Sequence, residues 1–172
     1  MQTEFIRLLS GKDLRSLKNN KKVIEAVTDQ ESFDELFKLV FHHERPLVMR
    51  AIDAVEKIGV QHREYLQPHR EQLLSVLRSA DHKELKWHIA QLITRLALNK
   101  EELNEVWHIL SYWALNPNES KIARVNSLQG LFDLCIGNAE RKEQFRNIMA
   151  QMEHEKIPSI QARIRKLKND QH

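Results

Sequence analysis

Apolar residues recur along this chain at intervals of three and four, the spacing that places side chains on one face of an α-helix. The pattern is clearest in Leu47–Ile58, Leu85–Leu96, Leu103–Trp113, Ile122–Cys135 and Ile160–Leu167. Glycine and proline, with four residues each among 172, are too scarce for the turns of a sheet or for long loops. The sequence therefore predicts an all-α fold of at least eight helices joined by short connections.

Capping signals indicate where these helices begin and end. The predicted N-caps are Ser32, Asp81, Asn99 and Asn118, the first three each followed by a glutamate three residues later. Pro46, Pro68 and Pro158 are expected in first turns, where proline is tolerated. Gly59 and Gly137 are expected to close helices. The predicted core consists of Leu85, Ile89, Leu92, Leu96, Leu110, Leu128, Phe132 and Cys135.

The apolar faces repeat along the chain with a period of 36–39 residues. Leu47 corresponds to Leu85 at a shift of 38, Ile89 to Leu128 at 39, and Leu128 to Ile164 at 36. Helix pairs with such a period are the signature of an α-solenoid. We predict a single domain over residues 1–172, a right-handed α-solenoid, with an N-terminal cap over 1–28. The predicted helix pairs cover residues 30–59, 64–98, 99–136 and 138–169.

The segment Pro46–Gly59 resembles the second helix of a HEAT repeat in its proline, arginine, small residues and closing glycine. Leu85–Leu92 continues the pattern more loosely, with Lys86 and Trp87 near the place of Arg50. Over roughly residues 30–168 the chain resembles small, uncharacterised bacterial HEAT-repeat proteins. The resemblance implies a HEAT-like solenoid and a habit of binding proteins, but no chemistry.

Composition and charge restrict the class of protein further. With 41% hydrophobic and 30% charged residues, the chain is expected to fold. A single cysteine agrees with a reducing compartment, and charges near the N-terminus argue against a secretory leader. No uncharged apolar run reaches the roughly 20 residues of a membrane span. We therefore expect a cytoplasmic protein that does not insert into membranes.

Charge is uneven along the chain. Residues 1–22 and 140–168 each carry net +4, whereas residues 23–139 carry net −4. Because the middle is mildly acidic, a uniform nucleic-acid-binding surface is not indicated. The basic segment Arg163–Lys168 could touch nucleic acid or an anionic membrane. A solvated end cap explains it equally well.

Four residues on successive second helices form the candidate binding site. Arg50, Trp87, Arg124 and Arg163 stand 37, 37 and 39 residues apart, each beside an apolar stripe. On the concave surface of a solenoid they would form one column, suited to an acidic peptide or a phosphate backbone. The alternative is an internal ladder in which each arginine pairs with an acid such as Asp53, while Trp87 is half-buried packing.

No other group of residues points to chemistry. Trp107 and Trp113 have core spacing, Cys135 repeats the position of Leu96, and His88 lies beside an apolar stripe. On a helix, the adjacent His42, His43 and Glu44 would point about 100° apart and could not chelate one ion. We predict no catalytic residue, no metal site and no cofactor.

The expected function is therefore that of a non-catalytic scaffold or adaptor whose concave surface binds a protein or peptide. The alternative is nucleic-acid binding, as in the HEAT-like alkylpurine DNA glycosylases, whose basic, aromatic cleft surrounds damaged DNA. This chain offers no convincing match for the carboxylate and paired tryptophans of that cleft. A bilin-lyase-like HEAT protein is a third hypothesis, with no marked chromophore pocket. The sequence leaves the oligomeric state and the partner's identity open.

Overall fold

The computed structural model describes residues 2–10 and 17–170. Within those residues ten α-helices pack in adjacent pairs, and no strand occurs. The predicted all-α fold and the predicted minimum of eight helices are confirmed. Part of the predicted N-terminal cap, residues 11–16, lies outside the described residues. The chain divides into two compact units, residues 1–70 and 71–172.

The first unit is built around its longest helix. Its helices are α1 (Gln2–Leu9), α2 (Leu17–Ala26), α3 (Gln30–Phe37) and α4 (Arg45–Gln61), with 3₁₀ segments at Lys38–Phe41 and Arg63–His69. α4 packs against α1, α2 and α3, and Ala51, Ile52 and Val55 on it are buried. Pro46 lies in the first turn of α4, as predicted.

Two helix boundaries in this unit differ from the prediction. α4 continues through Gly59 to Gln61, so Gly59 does not close the helix. It allows close packing instead, since a Cβ there would lie 2.8 Å from Leu66 Cδ1. The N-cap of α3 is Asp29, and Ser32 occupies the third helical position. The Asp29 carboxylate accepts a hydrogen bond from the Ser32 amide at 2.8 Å, and the Ser32 hydroxyl accepts one from the Asp29 amide at 3.2 Å. The capping box is therefore present, but it begins three residues earlier than predicted.

The second unit is built around α8. Its helices are α5 (Arg70–Ser79), α6 (Lys83–Leu92), α7 (Lys100–Leu115), α8 (Lys121–Cys135), α9 (Ala139–Glu153) and α10 (Pro158–Asn169), with a 3₁₀ turn at Ile93–Arg95. α8 contacts α6, α7, α9 and α10. Gly130 allows a close approach of α6 and α8, since a Cβ there would lie 2.8 Å from the Ala90 carbonyl oxygen.

The caps of this unit are partly those predicted. Asn99 and Glu102 form the predicted capping box of α7. α8 is capped by Ser120, whose hydroxyl accepts a hydrogen bond from the Ala123 amide at 3.3 Å, so the prediction of Asn118 is wrong. Likewise α6 is preceded by His82 and not by Asp81. Gly137, with a φ of 79°, follows α8 as predicted.

Six of the eight predicted core residues are buried. They are Ile89, Leu92, Leu96, Leu110, Leu128 and Cys135. The prediction is wrong for Leu85 and Phe132, which are half-buried. Leu85 lies in the first turn of α6, and Phe132 lines an open cavity.

The helix bounds lie close to the predicted pairs, with α7 and α8 inside 99–136 and α9 and α10 inside 138–169. The grouping of all pairs into one domain over residues 1–172 stays a prediction. None of the helices in the described stretches is long and apolar enough to cross a membrane.

Candidate partner-binding surface

Arg124 is fully engaged inside the second unit. Its side chain, on α8, is 1% exposed, and Nε donates to the Ala114 carbonyl at 2.9 Å. Nη1 donates to Glu155 Oε2 at 2.8 Å, and Nη2 donates to Glu155 Oε1. Glu155, in the turn between α9 and α10, is 28% exposed. Because this guanidinium is buried and already bonded to a carboxylate on two nitrogens, it is not accessible to a partner.

Lys86 makes the equivalent contact one repeat earlier. Its ammonium, on α6, pairs with Glu119 in the turn between α7 and α8, and the two side chains are only 14% and 11% exposed. Lys86 and Arg124 are 38 residues apart, and Glu119 and Glu155 are 36 apart. In both cases a cation on the second helix of one pair bonds an acid in the turn of the next pair.

These two ion pairs form an internal ladder, the alternative that the sequence left open. Their acids are Glu119 and Glu155, however, and not Asp53. On α6 the cation of the ion pair is Lys86, whereas Trp87 was the residue predicted for that point of the column. The sequence does contain a sign of this equivalence. Lys86 precedes Arg124 by 38 residues, the same shift that relates Leu47 to Leu85.

Arg50 is also engaged internally, in the first unit. Its side chain is buried, and Nη1 donates to the Leu9 carbonyl of α1. Asp53, which the sequence suggested as its partner, accepts hydrogen bonds from Asn20 at 2.5 Å and Lys57 at 2.6 Å. Burial removes Arg50 and Arg124 from any surface that a partner could touch.

Trp87 and Arg163 remain partly accessible. The Trp87 ring is half-buried and stacks on His88, with centroids 4.5 Å apart. Half-buried Arg163, on α10, donates to Gln129 Oε1 on α8, and Gln129 Nε2 donates to Asp133 Oδ1 at 2.8 Å. Whether these residues bind a partner stays a prediction.

Arg163 escapes burial because of its phase on α10. The shift of 36 that relates Leu128 to Ile164 relates Arg124 to Ile160, which is buried and apolar. Arg163 lies three residues further on, about 60° around the helix from that position. The nearly regular spacing of the four column residues in the sequence therefore does not give them equal exposure.

Comparison with known proteins assigns the fold a family. A family model described as a HEAT repeat domain matches residues 9–170. The chain belongs to the HEAT repeat domain family. No curated protein and no solved structure matches it.

Other residues singled out in this HEAT-repeat protein are packed inside it. Trp107 and Trp113 are buried, as predicted, with the Arg141 guanidinium 4.8 Å from the Trp107 ring centroid and the Lys86 ammonium 5.4 Å from that of Trp113. Cys135 is buried, and burial raises the pKa of its thiol while Lys142 opposes the rise. Such a thiol is a poor nucleophile at neutral pH.

His42, His43 and Glu44 do not have the helical geometry that the sequence led us to expect. These residues lie in the connection before α4 and not on a helix, and one possible ligand atom from each lies within 4.8 Å of the others. The two imidazole rings stack with centroids 4.2 Å apart. His42 Nδ1 already accepts a hydrogen bond from the Glu44 amide at 3.1 Å, which competes with metal binding through that atom.

The basic end of the HEAT repeat domain is only partly neutralised. Lys168 pairs with Glu153, whereas Arg165 and Lys166 are exposed on α10. Both interpretations of Arg163–Lys168, a contact with an anionic partner and a solvated end, stay hypotheses.

Proposed function

We propose that this HEAT-repeat protein is a non-catalytic scaffold or adaptor that binds a protein or peptide on α6, α8 and α10. One observation carries the proposal. Ile122, Gln129 and Asp133 are spaced along one side of α8, where Ile122 is 39% exposed and Gln129 connects that side to Arg163 on α10. Solvent-facing side chains of two neighbouring second helices thus form one preformed surface, the kind that helical repeats use for partners.

The chemistry of this surface suits a partner with both acidic and apolar groups. Arg163 supplies a cation, Ile122 an apolar side chain, and Trp87 on neighbouring α6 part of an indole. Aromatic and arginine side chains are enriched where protein interfaces derive most of their energy. Lys86 and Arg124 are committed to internal ion pairs and have no part in the proposed contact.

The test compares two charge reversals on α10. Arg163→Glu changes the proposed surface, whereas Arg165→Glu makes the same change at an exposed position further round the helix. We expect Arg163→Glu and Trp87→Ala to lose a protein captured from native lysate, and Arg165→Glu to retain it. Capture by wild type should withstand nuclease treatment, and circular dichroism should confirm that every variant is folded.

Loss of capture in Arg165→Glu, with capture kept in Arg163→Glu, would favour nucleic-acid binding. Exposed Arg165 and Lys166 motivate that second hypothesis. Nuclease-sensitive capture, lost in Arg165→Glu and kept in Arg163→Glu, would overturn the proposed protein partner. A cytoplasmic location and a bacterial source stay predictions.

A further inference from the structure

A cavity of about 330 Å³ opens where the C-terminal end of α8 meets α9. Its lining includes Phe132 and Ile136 from the end of α8 and Phe145 from α9. Phe145 is fully buried, with its ring centroid 5.7 Å from that of Phe132. Ile136, by contrast, is 67% exposed at the C-cap of α8. An isoleucine so exposed beside a half-buried phenylalanine leaves apolar surface that a ligand could cover.

Two cations of α9 border the same cavity. Lys142 is exposed and has no ion-pair partner within the described residues. Arg146, one helical turn further on, pairs with Glu143 at 3.2 Å, but both side chains are more than 60% exposed, and such a pair exchanges readily with solvent. Asp170 also lines the cavity, so cations exceed anions among its lining residues by one.

The field of these cations reaches the cavity itself. Cys135 forms part of the lining and is 3% exposed. Burial raises the pKa of its thiol, and Lys142 and Arg146 both act to lower it. Asp133 acts in the opposite direction on the thiol, so two cations and one anion act at this wall of the cavity. A ligand inside the cavity would lie in the same field, of which Lys142 is the largest contributor.

We propose that this cavity binds a small amphipathic anion such as a medium-chain carboxylate. The apolar part covers Phe132 and Ile136, and the carboxylate lies at Lys142 and Arg146. The volume is at the lower end of the range for small-molecule pockets, which limits the ligand to a single medium-length chain or one ring. The site lies at the far end of α8 from Ile122 and does not depend on the proposed protein partner.

Binding can be measured directly with decanoate and with its uncharged counterpart decanol. Calorimetry of the full chain should show saturable binding of decanoate and much weaker binding of decanol. Lys142→Glu should weaken decanoate binding about tenfold, the effect of a two-unit charge change at ~6 Å in a water-like dielectric. Lys121→Glu, at the opposite end of α8, makes the same charge change at another exposed lysine and should leave decanoate binding unaltered.

Cys135 provides an independent readout because it is the single cysteine of the chain. Decanoate should slow its reaction with dipyridyl disulfide, a neutral reagent, in wild type and in Lys121→Glu. The same decanoate concentration should protect Lys142→Glu far less. Equal binding of decanol and decanoate, equal behaviour of the two lysine variants, or no saturable binding would each overturn the proposal.

Discussion

Glu155 and Glu119 are the acids of the ion pairs that join successive repeats. How deeply each pair is buried decides how much stability is lost when the acid is removed. Around Arg124 the guanidinium is fully buried and makes three hydrogen bonds, two of them to Glu155. Removing the charge of Glu155 would leave that guanidinium buried without its counter-ion, which is far more costly than losing an exposed pair.

Glu155→Gln should therefore destabilise the protein by about 3 kcal/mol, the cost of an uncompensated buried charge. Glu143→Gln is the matched control, since Glu143 pairs with an arginine whose side chain is 63% exposed. It should change stability by less than about 0.5 kcal/mol. Urea unfolding followed by circular dichroism measures both. Similar losses in the two variants would show that Arg124 does not depend on Glu155.

A second prediction at this scale concerns the apolar face. Leu128 is completely buried between helices, whereas Leu85 is half-buried although the repeat pattern gave both the same role. Leu128→Ala should cost about 2–5 kcal/mol, the usual range for a core leucine. Leu85→Ala should cost less than about 2 kcal/mol, because less apolar surface returns to water. Urea melts that reverse this order would contradict the placement of the two side chains.

At the scale of the element, the helix starts are set by short-range hydrogen bonds that the sequence signals only in part. Asn118 and Ser120 are both good capping residues and lie two positions apart before α8. In the structure the Ser120 hydroxyl accepts a hydrogen bond from the Ala123 amide. The Asn118 side chain makes no hydrogen bond within the described part of the chain. The choice depends on how the preceding turn leaves α7, which propensity does not encode.

Ser120→Ala should destabilise the protein by about 1 kcal/mol, the usual contribution of an N-cap. Asn118→Ala should change stability by less than about 0.5 kcal/mol, as most exposed substitutions do. Thermal melts of the two variants, run side by side, compare the capping positions directly. A larger loss for Asn118→Ala would restore the helix start expected from the sequence.

At the scale of the whole molecule, the predicted single domain can be tested by unfolding. All three tryptophans, Trp87, Trp107 and Trp113, lie in residues 71–172, so their fluorescence reports on that unit. Far-UV circular dichroism reports on helices of the whole chain. If residues 1–172 unfold as one cooperative domain, the two probes should give the same urea midpoint. Separate midpoints would show that the two compact units unfold independently.

The sequence by itself determined the all-α fold, the helix pairing and most of the buried face, because a helix imposes its period locally on every apolar residue. Ile89, Leu92 and Leu128 could be identified as core from that period alone. Tertiary structure decided what neighbouring side chains of one helix do. Lys86 reaches an acid in the next turn while adjacent Trp87 stays partly exposed, and Arg124 is buried while Arg163 is not. These outcomes depend on rotations of about 60–100° and on which turn packs against which helix, and a repeat with a period drifting between 36 and 39 residues does not specify them. The cavity beside Cys135 likewise exists only once α8 and α9 have packed together.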